Sequence, residues 1–203
     1  MPAKKSPAKT PAPPVRRYQL KITLVDSNPS IWRQVIVPED VPLDYVHHII
    51  QLAMGWENDH MHEIVTGTTR ANRVRYSVID PDFGFAENEV LDEEEHTLAE
   101  IAPRAKRKFF YEYDFGDGWL HEVVVEKVLP PDPLLKQPLC IAGANACPPE
   151  DCGGISGYYR LVDILADPKD PEYEETREWL GKKFDPEAFD CVAANKRLKW
   201  IKL

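Results

Sequence analysis

Residues 108–128, KFFYEYDFGDGWLHEVVVEKV, set two alternating runs of apolar and polar residues on either side of an Asp-Gly pair. Alternation with period two sends successive side chains to opposite faces of a strand. Asp-Gly supplies the positive φ angles that a tight hairpin turn demands. A segment like this commits the chain to antiparallel sheet. A two-residue type I′ turn at Asp117-Gly118 pairs Gly116 with Trp119, Phe115 with Leu120, and Asp114 with His121. In that register the Asp114 carboxylate would hold the His121 imidazole and choose its tautomer. Such a pair serves a general base or supports a metal ligand; the alternative is an ordinary cross-strand Asp–His contact.

The remaining pattern runs from strands to helices. YQLKITLVD and IWRQVIVP alternate around a turn at Asn28-Pro29, so residues 18–37 read as a second hairpin. In LDYVHHIIQLAMGW, Leu43, Val46, Ile50 and Ala53 recur at helical spacing and Gly55 ends the segment. HMHEIVTG and NRVRYSVI read as strands, residues 80–95 as an acidic loop, and TLAEIA as a short helix. Three helices follow the long hairpin, in GYYRLVDILAD, PEYEETREWLG and PEAFDCVAANKRL. Strands first and helices last predict an α+β domain: a largely antiparallel sheet built from hairpins, helices packed on one side, and a helical C-terminal third.

The first 17 residues hold five prolines, five Lys/Arg and no acid, which reads as a disordered basic Pro/Ala/Lys tail ahead of a single domain at 18–203. The chain carries −9 overall and the tail +5, which leaves −14 on the domain. A body that acidic repels phosphate backbones, so any nucleic-acid contact is expected only through the tail. No apolar run is long enough for a signal peptide or a membrane span, and four cysteines in 203 residues are too few for a disulfide scaffold. The expectation is a cytoplasmic protein with no membrane partner.

Two short stretches carry candidate chemistry. In HMHE, His60 and His62 would share one face of a strand and chelate a single ion, with His121 as a third ligand if it comes near. Partly exposed polar residues at a strand end are the plainer reading. In CPPEDCGG, Cys147 and Cys152 have a spacing zinc ligands can use, but only one such pair exists. Pro148 and Pro149 stiffen the chain between them, and Glu150 and Asp151 would repel an anion from the following helix start. The stretch reads as a metal claw, a redox pair or a stiff turn.

Five segments in order, IWRQVIVP, AMGWENDHMHE, YEYDFGDGWLHEVVVE, CPPEDCGGISGYY and FDPEAFD, resemble the plasmid pRiA4b ORF-3-like family, some of whose members are labelled TnpR-like passenger proteins of insertion elements. The resemblance runs from Tyr18 to about Asn195 and implies a cytoplasmic α+β protein associated with mobile elements. It brings no accepted catalytic residues. The family's shared surface would map to His60, His62, Asp114, Asp117, His121 and residues 148–154. A recombinase is not expected, because none of the five serines sits in an arginine-rich motif. Two functions follow. One is a non-catalytic accessory module that binds a protein partner through Trp56, Trp119 and acidic surface (Asp114, Asp117, Glu150, Asp151). The other is a hydrolase-like enzyme that holds a divalent metal such as zinc at His60, His62 and His121, with Asp117 or Glu150 acting on the bound water.

Overall fold

A computed structural model describes residues 14–80, 90–181 and 183–202. The described residues form one mixed sheet of eight strands with five α-helices. The first hairpin joins β1 (Arg17–Leu24) to β2 (Trp32–Pro38), with Lys21 opposite Gln34. After α1 (Leu43–Met54) come β3 (His62–Thr66), β4 (Val74–Ser77) and the two-residue β5 (Leu91–Asp92). A 3-10 turn at Glu93–Glu95 and the short α2 (Leu98–Ile101) lead into β6 (Lys108–Tyr113) and β7 (Trp119–Leu129). Then β8 (Leu139–Ala144) is followed by α3 (Gly154–Ala166), α4 (Tyr173–Leu180) and α5 (Cys191–Leu198). Strand order is β5-β4-β3-β6-β7-β1-β2-β8, antiparallel throughout except for the β4–β5 pair.

One face of this sheet is the core. Tyr18, Leu20, Ile22, Val35, Val37, Ile64, Phe109, Tyr111, Tyr113, Trp119, Val123 and Val125 are all buried. Across it lies α1, whose Leu43, Val46, Ile49, Ile50 and Ala53 face inward at helical spacing. Gly55 takes φ 112° and returns its N–H to the Gln51 carbonyl, which ends the helix. The outer edge at β8 is closed by α5. The Asn195 side chain accepts from the Cys140 N–H (2.9 Å) and donates to its carbonyl (2.8 Å), so the unpaired edge groups of Cys140 are satisfied.

Several sequence expectations change in detail. The α+β architecture and the two hairpins are present, but β8 falls in a Gly-containing run that does not alternate. The last helix starts at Cys191, where the Asp190 side chain accepts from the N–H groups of Val192 and Ala193. The acidic loop reading falls partly on residues 81–89, outside the described residues. Its end is structured: Leu91 and Asp92 pair in parallel with Tyr76 and Ser77, and Glu93 is buried. Of the segment read as a tail, residues 1–13 lie outside the described residues, Arg16 pairs with Glu39 at 2.6 Å, and Arg17 opens β1.

The largest correction is the register of the long hairpin. Tyr113 faces Trp119, Glu112 faces Leu120, and Tyr111, not Asp114, faces His121. The chain leaves β6 early because Asp114 turns through φ 53°, and three hydrogen bonds hold it there. Its N–H donates to the Met61 carbonyl (2.9 Å), its carbonyl accepts from Gly118 (2.6 Å), and its side chain accepts from the Gly116 N–H (2.9 Å). A wide loop replaces the two-residue turn, and Asp114 projects from the sheet end.

Candidate functional site

The hairpin loop, the segment after α1 and the CPPEDCGG stretch meet at one end of the sheet. Asn58, Asp114 and Asp151 each take a left-handed conformation, with φ 65°, 53° and 56°. Asn and Asp tolerate that region better than other side chains. The turns bring His60, Asp114, Glu150 and Asp151 together. His60 Nε2 lies 3.3 Å from Asp151 Oδ1 and 4.0 Å from Glu150 Oε2, and its Nδ1 lies 3.9 Å from Asp114 Oδ1. One ligand atom each from His60, Asp114 and Asp151 fits within 4.8 Å, the spread a single cation can span.

Glu150 is fixed on one side and free on the other. Its Oε1 accepts from the Glu57 N–H (2.9 Å) and from the Tyr113 hydroxyl (3.1 Å), which itself accepts the Asp59 N–H (3.0 Å). Its Oε2 is buried with no hydrogen-bond partner, and so is His60 Nε2. Burial pushes the Glu150 carboxyl up, against the hydrogen bonds from Glu57 and Tyr113 that favour its charged form. Tyr113 is raised as well, by burial and by the Glu150 charge. Glu150 and Asp151 border a cleft of about 340 Å³ also lined by Trp56, Glu57, Asp59, Pro149, Trp179 and Phe184.

The CPPEDCGG stretch is a turn that delivers carboxylates. The Pro148 carbonyl accepts the Trp56 indole N–H at 3.1 Å, and the Gly153 N–H donates to Asp117 Oδ2 at 3.1 Å, so the loop is tied to both neighbours. Asp117 thus holds loop to hairpin. Cys147 and Cys152 are free thiols and stand apart from the cation-sized cluster. Burial raises both, Cys152 to about 12, so they carry protons at neutral pH.

The predicted histidine triad does not assemble. Strand β3 begins only at His62, so His60 lies in the preceding turn and the two do not share a strand face. The His62 ring is buried, stacked on His47 with centroids 3.5 Å apart, and bonded through Nε2 to Glu93 at 2.8 Å. His121 is wholly buried, edge-on to Trp56, and neither of its ring nitrogens makes a hydrogen bond of sound geometry. Trp56 and Trp119, expected as exposed binding residues, are 5% and 1% exposed because they pack with each other and with Tyr113 and His121. Sequence reasoning missed Tyr113, whose alternation marked it as core. It also missed Glu93, which stood in a charge run that carries no sign of burial.

No helix among the described residues is long and apolar enough to cross a membrane. The solved structure of a protein of unknown function, MM3350 from Methanosarcina mazei Go1, superposes with a TM-score of 0.75 at 33% identity, covering 88% of this chain and 97% of that one. The uncharacterized protein y4hQ of Sinorhizobium fredii (strain NBRC 101917 / NGR234) is 33% identical over 177 residues, 87% of this chain and 85% of that protein. The model of the plasmid pRiA4b ORF-3-like protein family matches residues 16–193, and the chain belongs to that family.

Proposed function

We propose that this protein binds a divalent cation at His60, Asp114 and Asp151, and that the bound ion serves hydrolytic chemistry. The observation that carries the reading is the meeting of His60, Asp114 and Asp151 within reach of one cation, beside Glu150, with His60 Nε2 and Glu150 Oε2 buried without hydrogen-bond partners. Buried polar atoms are normally satisfied. A cation would satisfy the buried atoms and offset the charge of the carboxylates around the imidazole. The donor set, one nitrogen and carboxylate oxygens, suits manganese, iron or zinc better than the soft ions that thiolates select. Three protein ligands leave coordination positions for water or substrate, as in catalytic rather than structural sites. Glu150, held by one oxygen and free at the other, is the group suited to take a proton from such a water.

The test is titration of the full chain with manganese, followed by calorimetry and by electron paramagnetic resonance. One ion per chain is expected, with affinity at least about tenfold weaker in Asp114→Asn and in Asp151→Asn. Binding that both variants leave untouched, or no binding to the parent, overturns the reading.

The accessory-module reading rests on different residues from those the sequence suggested. Trp179, 52% exposed, stands at the mouth of the same cleft and favours a partner that buries an indole there. The plasmid in the family's name supports an association with mobile elements and a cytoplasmic setting within this second reading. Affinity capture with parent and Trp179→Ala chains tests it, and a partner set unchanged by the substitution removes it.

A further inference from the structure

A second cavity, of about 570 Å³, runs along α1 and shares Trp56 and Glu57 with the first cleft; its walls include Asp44, Gln51, Asn58 and Trp200. Its polar floor follows from a hydrogen-bond chain through the core. His47 Nε2 lies 2.6 Å from Asn58 Oδ1, an acceptor, so Nε2 carries the imidazole proton and Nδ1 does not. Nδ1 therefore accepts from the Tyr111 hydroxyl at 2.8 Å, and that hydroxyl accepts from Gln51 Nε2 at 2.8 Å. The chain consumes the Gln51 amide donor beneath the helix. Its carbonyl oxygen is left with no partner, although Gln51 is 1% exposed.

Asp44, on the preceding turns of the same flank, also has a buried carboxylate oxygen, Oδ1, without a hydrogen bond of sound geometry, although the N–H groups of Asp44 and Tyr45 lie close to the carboxylate. Both orphan groups are acceptors, so what satisfies them must donate. Trp200 lines the same cavity and is 82% exposed. The other charged or titratable groups on these walls are Tyr45, His48, Glu57 and Lys202, so Asp44 and Glu57 outnumber the one fixed positive charge.

We propose that this cavity binds a guanidinium group, with Gln51 and Asp44 accepting its N–H donors and Trp200 stacking on its plane. A guanidinium is planar, offers five donors and no acceptor, and stacks on aromatic faces. Few other groups match two buried acceptors beside an open indole. The guanidinium could belong to a free metabolite or to an arginine of a partner chain. The proposal stands independently of the cation site, since neither Asp44 nor Trp200 takes part there.

Heteronuclear NMR of the full chain, titrated with methylguanidinium, with an N-acetylated arginine peptide and with neutral acetamide, tests this. The Trp200 indole and Gln51 amide signals are expected to shift saturably with methylguanidinium or the peptide and not with acetamide. Saturation by methylguanidinium identifies a free guanidinium as sufficient; saturation by the peptide alone identifies an arginine in a chain. Trp200→Ala, at an exposed position, and the near-isosteric Asp44→Asn should each weaken binding by about tenfold. Unmoved signals with both cations, equal response to acetamide, or undiminished binding in both variants overturns the proposal.

Discussion

A side chain on residue 154 would drive its Cβ into the carbonyl oxygen of Asp117, and Gly154 sits at φ 68°, where side chains are strained in any case. The glycine is what lets the hairpin loop rest on the start of α3, and Asp117 then accepts the Gly153 N–H. Gly154→Ala should therefore cost about 2 kcal/mol or more of stability, from backbone strain and steric contact together. It should also weaken manganese binding, because Asp114 and Asp151 come from the two segments it separates. Urea unfolding and manganese titration of the variant measure both. A stable variant with parental affinity would show that the contact is dispensable.

His121 makes a pH prediction. Burial holds its pKa down, from 6.5 to about 4, against smaller opposing effects of the Tyr111 and Trp119 carbonyls. Above pH 6.5 the folded and unfolded imidazoles are both neutral and stability is at its full value. As pH falls from 6.5 toward 4, the unfolded chain takes up a proton that the folded chain refuses, and stability drops by roughly 3 kcal/mol. His47, lowered to about 2 chiefly by burial, acts in the same direction. His121→Leu should leave stability at pH 7 within about 1 kcal/mol of the parent, since no hydrogen bond of sound geometry is lost. Its unfolding free energy should depend on pH less steeply between 4 and 6.5, by about one proton. Equal slopes in parent and variant would contradict the burial argument.

Arg33 is predicted to be a cornerstone of the core. It is 2% exposed, donates to the carbonyls of Ala53, Trp32 and Ala144 at 2.8–3.1 Å, and lies 4.2 Å from the Phe189 ring. It joins α1, β2 and β8 through one side chain. Arg33→Ala should cost about 3 kcal/mol or more, combining lost packing with three carbonyls left short of a donor. Arg33→Met should recover the packing share alone and fall between parent and alanine. Denaturant midpoints of the three chains decide this, and a methionine variant as stable as the parent would mean the carbonyl bonds contribute nothing.

Tyr113→Phe removes the hydroxyl that Asp59 N–H donates to and that donates to Glu150. The expected loss is about 1–2 kcal/mol, from one unpaired N–H and one weakened carboxylate contact. With a donor gone, Glu150 should titrate higher still, since that bond favours its charged form. The side-chain carboxyl carbon of Glu150, followed by NMR through a pH titration, reports the direction. A lower value would reverse the assignment of Tyr113 as donor.

Local pattern decided much of this molecule. Period-two runs produced β1, β2, β6 and β7, 3.6-residue recurrence produced α1, and Asp and Gly marked their ends, because each of these depends on neighbours a few residues away. Glu150 and Asp151 were named from the sequence as part of an acidic surface, and the structure sets both beside His60. Pattern did not decide the register of β6 against β7. Asp-Gly permitted a two-residue turn, but the Asp114 N–H met the Met61 carbonyl from β3's approach, a partner some fifty residues away in sequence, and the strand stopped there. That contact moved Asp114 from His121 to His60. Burial was likewise settled only in three dimensions. Arg33, Glu93, His62 and His121 carry no sign of burial in their neighbours along the chain, and they are core because carbonyls, a stacked imidazole or an aromatic cage stand where the sheet and α1 close over them. Whether a charged or polar side chain can be buried depends on the partners that long-range packing brings to it, and those partners are written nowhere near it in the sequence.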